Sequence, residues 1–267
     1  MPKTYIFDKL TYIMIPRNIY RKVYGTVKKI AEIIGYNLVI TQKYGNKDET
    51  YESILPGATY APWLLDYTFN ETYRTIKNHT LVDKYRCYEL WQLVAEISKL
   101  RGALIEVGTW KGGSGALIAK KAKIANIKDT VYLCDTFKGI VKAGINDSFY
   151  KGGEHSDASE KTVKQIIDEL ELDNVKLLPG IFPDETSRMI TAKEFRLCHI
   201  DVDVYQSAKD AVEWLWPKLV VGGLIIFDDY GWEGCDGVTK FVNEEKGKQD
   251  RLIFYNLNGH AIMIKLK

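Results

Sequence analysis

The chain has 267 residues, 46% hydrophobic and 27% charged, enough for one large α/β core that needs no disulfide or metal staple. A net charge of +2, with lysines scattered instead of massed in a stripe, gives no electrostatic footprint for nucleic acid. The start MPKTYIFDKL lacks the apolar core of a signal peptide, and no run approaches the roughly 18 apolar residues of a membrane span, so a soluble cytoplasmic protein is expected. Cys87, Cys134, Cys198 and Cys235 are far apart and match neither a disulfide framework nor a zinc motif, so they are read as reduced, buried thiols.

Residues 1 to about 80 differ in texture from the rest of the chain and are expected to form a helical, lid-like extension to a main domain over 81–267. Ile19 to Ile34 places Val23, Val27, Ile30, Ile33 and Ile34 near one helical face, which predicts an amphipathic helix. Gly45 to Pro62 turns polar and then rich in Pro, Gly and Tyr, the composition of a loop. Thr80 to Leu100 returns to helical spacing and ends at Arg101-Gly102.

From there strand and helix alternate. Strands are expected at 103–107, 131–135, 175–179, 197–203 and 223–229, with helices near 114–124, 159–171, 184–192 and 206–218. Short apolar strands separated by helices predict a parallel sheet covered on both faces. A helix near 236–246 comes next, then two strands, Arg251 to Asn256 and His260 to Leu266; the short turn between these strands makes them an antiparallel hairpin. Five parallel strands with such a hairpin resemble the layout of S-adenosylmethionine-dependent methyltransferases.

The chemistry concentrates in ALIEVGTWKGGS, Ala103 to Ser114, an apolar strand that breaks into glycines before a helix. Gly108, Gly112 and Gly113 do not follow G-x-G-x-x-G, so a pyrophosphate on the helix end is disfavoured. Glu106 would repel phosphates and attract the ammonium group of a sulfonium cofactor. Asp135, closing the second strand, suits two ribose hydroxyls, and Phe137 is placed to flank adenosine. Gly180, Ile181 and Phe182 bring a third strand end to the same edge. Asp201 with Asp228 and Asp229, at the ends of the fourth and fifth strands, form an all-oxygen set suited to Mg²⁺ or Mn²⁺. A carboxylate there can take the proton of an attacking hydroxyl. Asp201 is the preferred base and Asp203 the fallback, since strand alternation would turn Asp203 to the other face unless the strand has ended.

ALIEVGTWKGGS, DTFKG from Asp135, PGIFPDE from Pro179, the run from His199 to Gly231, and Cys235-Asp236-Gly237-Val238 together resemble the macrocin O-methyltransferase family over about residues 80–267. The resemblance implies a Rossmann-like class I methyltransferase fold: a seven-stranded, mostly parallel sheet with a terminal antiparallel hairpin, plus the N-terminal helical extension. It implies a metal-dependent enzyme that methylates a hydroxyl of a sugar or glycosylated natural product. By the same resemblance Asp201, Asp228 and Asp229 hold the metal and Asp201 is the base. Glu106, Gly108, Thr109, Trp110, Gly113, Ser114, Asp135, Thr136, Phe137, Gly180, Ile181 and Phe182 are the expected cofactor residues. Lys111, Val202 and Gln206 depart from the usual arginine, glycine and acid. The loop from Gly139 to Ser159, with His155, is expected to cover the acceptor and to order on binding. The expected partner is a small hydroxyl acceptor, with no nucleic acid or membrane; a homo-oligomer is allowed. Two rival readings stay open: a catechol or other phenol as acceptor, and a non-catalytic cofactor-binding module.

Overall fold

The computed structural model describes residues 4–6, 13–15, 17–35, 51–52, 54 and 57–267. They fall into two compact units, Met1–Ser53 and Ile54–Lys267. In the first, β1 (Thr4–Ile6) pairs antiparallel with β2 (Ile13–Ile15), and α1 (Arg17–Ile33) realises the amphipathic helix expected from 19 to 34. The part of the expected Gly45–Pro62 loop up to residue 50 lies outside the described residues.

The second unit begins well before residue 81. Helix α2 (Tyr67–Ile76) starts on Asp66, whose carboxylate accepts from the Phe69 amide (2.9 Å) and from the Trp91 indole (3.0 Å). A single cap thus starts one helix and ties it to the next, α3 (Lys84–Glu96), which Asp83 caps in turn. Phe69 and Ile76 of α2 are fully buried beside Trp91 and Leu90, so residues 67–76 are core of this unit. Losing one such aromatic ring would cost about 3–5 kcal/mol.

The alternation then runs β3 (Ala103–Val107), α4 (Gly113–Ile124), β4 (Val131–Asp135), α5 (Glu160–Glu169), β5 (Val175–Pro179), β6 (Phe195–Ile200), α6 (Tyr205–Leu215), β7 (Leu219–Phe227), α7 (Asp236–Glu245), β8 (Arg251–Tyr255) and β9 (Ala261–Lys265). The sheet has seven strands in the order β5-β4-β3-β6-β7-β9-β8. Pairing is parallel from β5 to β7; β9 lies antiparallel between β7 and β8. Every residue of β3 is buried, as a strand covered on both faces requires. Leu104 joins the core under α2 to α5, while Ile105, its neighbour, joins the opposite core under α6 and α7.

Three expectations are corrected. The helix expected over 184–192 is only a short 3₁₀ turn, Ser187–Met189, because Thr186, Ser187, Ile190 and Thr191 are poor helix formers and Glu185 is spent on the Ile181 amide (2.8 Å). The fourth and fifth strands stop at Ile200 and Phe227, so Asp201, Asp203, Asp228 and Asp229 all stand in the turns beyond the sheet. Asp203 has a left-handed backbone (φ +63°), which no strand residue adopts, so strand alternation does not govern its direction.

Candidate active site

Between β3 and β6 the connections leave the sheet in opposite directions, and the crevice opened at such a switch is where ligands bind in α/β sheets. Gly108 lies there with φ +88°, and a Cβ on it would stand 1.6 Å from the Asp201 carbonyl oxygen. Only glycine lets the β3 turn and the end of β6 come this close. The Gly113 amide donates to the His79 carbonyl (2.9 Å), so the segment just before α3 closes over the start of α4.

Asp135, the last residue of β4, accepts the Trp110 amide on one carboxylate oxygen and the Phe137 amide on the other, both at 2.7 Å. Burial pushes its pKa up, with those amides opposing. The Gly180 amide donates to the Asp135 carbonyl (2.8 Å), joining the third strand end to the second. Gly108, Thr109, Trp110, Ser114, Asp135, Thr136, Gly180 and Phe182 line one cavity of about 420 Å³ together with Asp201, Asp228 and Asp229. Four expected cofactor residues do not line it. Gly113 and Ile181 contribute backbone, and Phe137 packs against the core.

Glu106, the fourth, takes a different task from the expected ammonium contact. It is wholly buried behind the cavity, accepting from His199 Nδ1 (2.9 Å) and from the Thr109 hydroxyl. Glu106 is the next-to-last residue of a strand buried on both faces, and both its oxygens are used inside the protein.

One oxygen from each of Asp201, Asp228 and Asp229 lies within 4.8 Å of the others. Burial, then the neighbouring carboxylates, push the Asp201 pKa well up; burial and the Asp203 and Asp228 charges do the same to Asp229. Asp228 goes the other way: burial would raise it, but His199, His260 and the Arg86 guanidinium hold it well below the usual carboxylate range. Asp228 is therefore held toward its anionic form, while burial and neighbouring carboxylates push Asp201 and Asp229 toward the protonated form. Hard oxygens, clustered and short of positive charge, fit a small divalent ion.

Of the residues around these carboxylates, Arg86, His260 and Tyr150 were not singled out from sequence. Arg86 donates to both the side chain and the carbonyl of Asp228 and to Asp83, with its guanidinium 5.0 Å from the Trp232 ring centre. His260, from the turn before β9, bridges Glu89 and Asp228. The Asp203 amide donates to Asp229 (2.9 Å), and the Cys235 thiol lies 3.6 Å from Asp229 and 3.7 Å from Asp203. Burial and then the Asp203 carboxylate drive the Tyr150 pKa far up. All four cysteines are buried and free.

The loop from 139 to 159, expected to cover the acceptor, forms one wall of the cavity and is fastened to the elements around it. Asp147, itself buried, accepts the Tyr205 amide at the start of α6 (2.9 Å), and Lys142 bridges Asp184 (2.8 Å) and Asp210 (2.5 Å). Its far end is fastened where Asp157 accepts from the Trp110 indole (2.8 Å) and Lys111 (2.6 Å). The wall carries Tyr150 and His155 into the cavity.

The sequence model of the family described as macrocin-O-methyltransferase (TylF) matches residues 72–256. The demethyldecarbamoylnovobiocin O-methyltransferase of Streptomyces niveus is 28% identical over 184 residues, 64% of this chain and 69% of that protein. The 8-demethyl-8-(2,3-dimethoxy-alpha-L-rhamnosyl)-tetracenomycin-C 4'-O-methyltransferase of Streptomyces olivaceus is 31% identical over 171 residues, 59% of this chain and 64% of that one. Among solved structures, the O-methyltransferase NovP superposes with a TM-score of 0.62 at 25% identity, covering 71% of this chain and 83% of its own. The chain belongs to the macrocin O-methyltransferase family and is an S-adenosylmethionine-dependent O-methyltransferase.

Proposed function

We propose that the enzyme methylates a sugar hydroxyl on a glycosylated natural product, with Mg²⁺ or Mn²⁺ held by Asp201, Asp228 and Asp229 and with Asp201 as base. One observation carries this reading: three carboxylates that repel one another gather in the cavity that the Gly108 turn also lines. The relatives support the acceptor class, since the tetracenomycin enzyme is named for a methylated rhamnosyl substrate and a further relative, of Micromonospora griseorubida, is named as a mycinamicin III 3''-O-methyltransferase. Asp203 and the Tyr150 hydroxyl, which share a hydrogen bond in the cavity, would offer a sugar polar contacts.

Gly108, Trp110, Ser114 and Asp135 would bind the cofactor. Each Asp135 oxygen accepts one amide and keeps capacity for a ribose hydroxyl. A bound divalent ion would supply Lewis acidity that makes the acceptor hydroxyl easier to deprotonate. Asp201, ionised once its neighbours' charge is balanced, takes that proton while the hydroxyl oxygen bonds the methyl carbon and the carbon–sulfur bond breaks. Because the Asp201 backbone is packed against Gly108, the base and the cofactor turn are held in register by one contact, so alignment comes from the sheet edge itself.

The test is methyl transfer to a panel of deoxysugar glycosides and catechols after removal of divalent ions. Glycosides should be methylated, chelator should stop turnover and Mg²⁺ should restore it. Full turnover in chelator sinks the metal role, and methylation of catechols alone sinks the sugar.

A further inference from the structure

Behind the three carboxylates, His199 from β6 and His260 from the turn before β9 approach Asp228 from two sides. Each imidazole has its Nδ1 engaged by a carboxylate: His199 by Glu106 (2.9 Å) and His260 by Glu89 (2.5 Å). That fixes both Nε2 atoms toward the same oxygen, Asp228 Oδ1, at 3.6 Å from His199 and 2.8 Å from His260. The other Asp228 oxygen is taken by Arg86. One ring nitrogen of each histidine and a carboxylate oxygen lie within 4.8 Å of one another, and all three residues are buried.

A second observation points to a ligand. His199 Nε2 is enclosed in a wholly buried side chain and makes no hydrogen bond, since the nearest acceptor, Asp228 Oδ1, stands 3.6 Å away, too far for one. Nε2 turned inward while a carboxylate orients Nδ1 is the arrangement of histidines that ligate metals. Two imidazole nitrogens with one carboxylate are softer than the all-oxygen set in front and suit zinc, ferrous or cobaltous ions, not magnesium.

We propose that His199, His260 and Asp228 form a second cation site, selective for a borderline first-row divalent ion, with Asp228 shared between it and the oxygen site. The ion takes the place of the proton between His260 and Asp228 and gives His199 Nε2 its partner. It fixes the direction of Asp228 from behind while the cavity side of the same residue serves the reaction. The proposal needs Asp228 where it lies, not an ion on Asp201 and Asp229.

The full chain, stripped with chelator and then equilibrated with Co²⁺ as the probe, tests this. Two cobalt ions should bind per chain, with the strong visible absorption of nitrogen-ligated, low-coordinate Co²⁺. His260→Gln, whose amide can still donate to Glu89, should reduce the count from two to one and abolish that absorption. Asp229→Asn should also leave one ion but keep the absorption. A single imidazole-ligated cobalt in the unaltered chain, lost in His260→Gln and kept in Asp229→Asn, supports this site while overturning an ion on the oxygen set. Should the histidine variants fail to fold, X-ray absorption at the cobalt edge of the unaltered protein decides the matter, because it reads imidazole scattering directly. No imidazole around cobalt overturns the proposal, and so does a spectrum that folded His260→Gln leaves unchanged.

Discussion

The two halves of the cavity rim are built on opposite principles. On the β3-β4-β5 side the polar groups are answered by backbone: both Asp135 oxygens accept amides, and the Gly180 amide ties the next strand end to it. On the β6-β7 side the polar groups are acids set against acids, where Asp201 and Asp229 are both pushed toward protonation and Asp228 is held down by two imidazoles and a guanidinium. The first half is satisfied before anything binds. The second is left with carboxylates that repel one another, so the two halves should fail separately when altered.

The sharpest way to break this contrast is Asp201→Asn. Loss of the base should lower kcat by about 10²–10⁴-fold, while the cofactor dissociation constant, measured by calorimetry, stays put. Loss of cofactor affinity would show that the halves are not separable. Gly108→Ala should breach both at once, since its Cβ would meet the Asp201 carbonyl and its backbone is left-handed; about 100-fold or more in kcat/KM should go, along with cofactor affinity. An alanine variant with normal kinetics would mean the close approach has no functional weight. Asp135→Ala should weaken cofactor binding about 10- to 100-fold and leave Mg²⁺ binding intact.

Protons sharpen the comparison further. Because Asp201 and Asp229 have raised pKa values, an ion entering their site displaces protons, and Mg²⁺ affinity should rise with pH, by up to about tenfold per unit for each proton released, until the carboxyls ionise. Calorimetry in two buffers of different ionisation enthalpy counts those protons, and a count of zero would remove the charge argument. The smallest effect is expected at the exposed latch, where Asp157→Asn should change the acceptor KM by less than about fivefold.

Much of the first half was legible in the sequence. β3, β4 and β5 fall on the expected residues because an apolar run bounded by turn residues has few other ways to sit in a buried sheet. The aspartates also read correctly as a cluster, since neighbouring parallel strands end at one edge and sequence shows where each ends. What could not be read is what lies behind them. His199 sits in an apolar strand and His260 in a hairpin turn, and nothing local says that both face Asp228; that depends on β9 pairing beside β7. Arg86 is invisible for the same reason, being 142 positions from its partner. Glu106 shows the converse failure: its residue type suggested a ligand contact, but its place inside a strand covered on both faces buried it.

The carbonyl of His79 meets the amide of Gly113, and Thr80 and Leu81 line the cavity directly after it. A boundary drawn from sequence texture at residue 80 would therefore run through the ceiling of the binding chamber. A shortened chain beginning at 81 should fold poorly, since it also forfeits Phe69 and Ile76, and it would present an open-topped site to its cofactor. Anyone trimming this enzyme for crystals or for swapping acceptor modules should cut ahead of Ile54, where the compact unit starts.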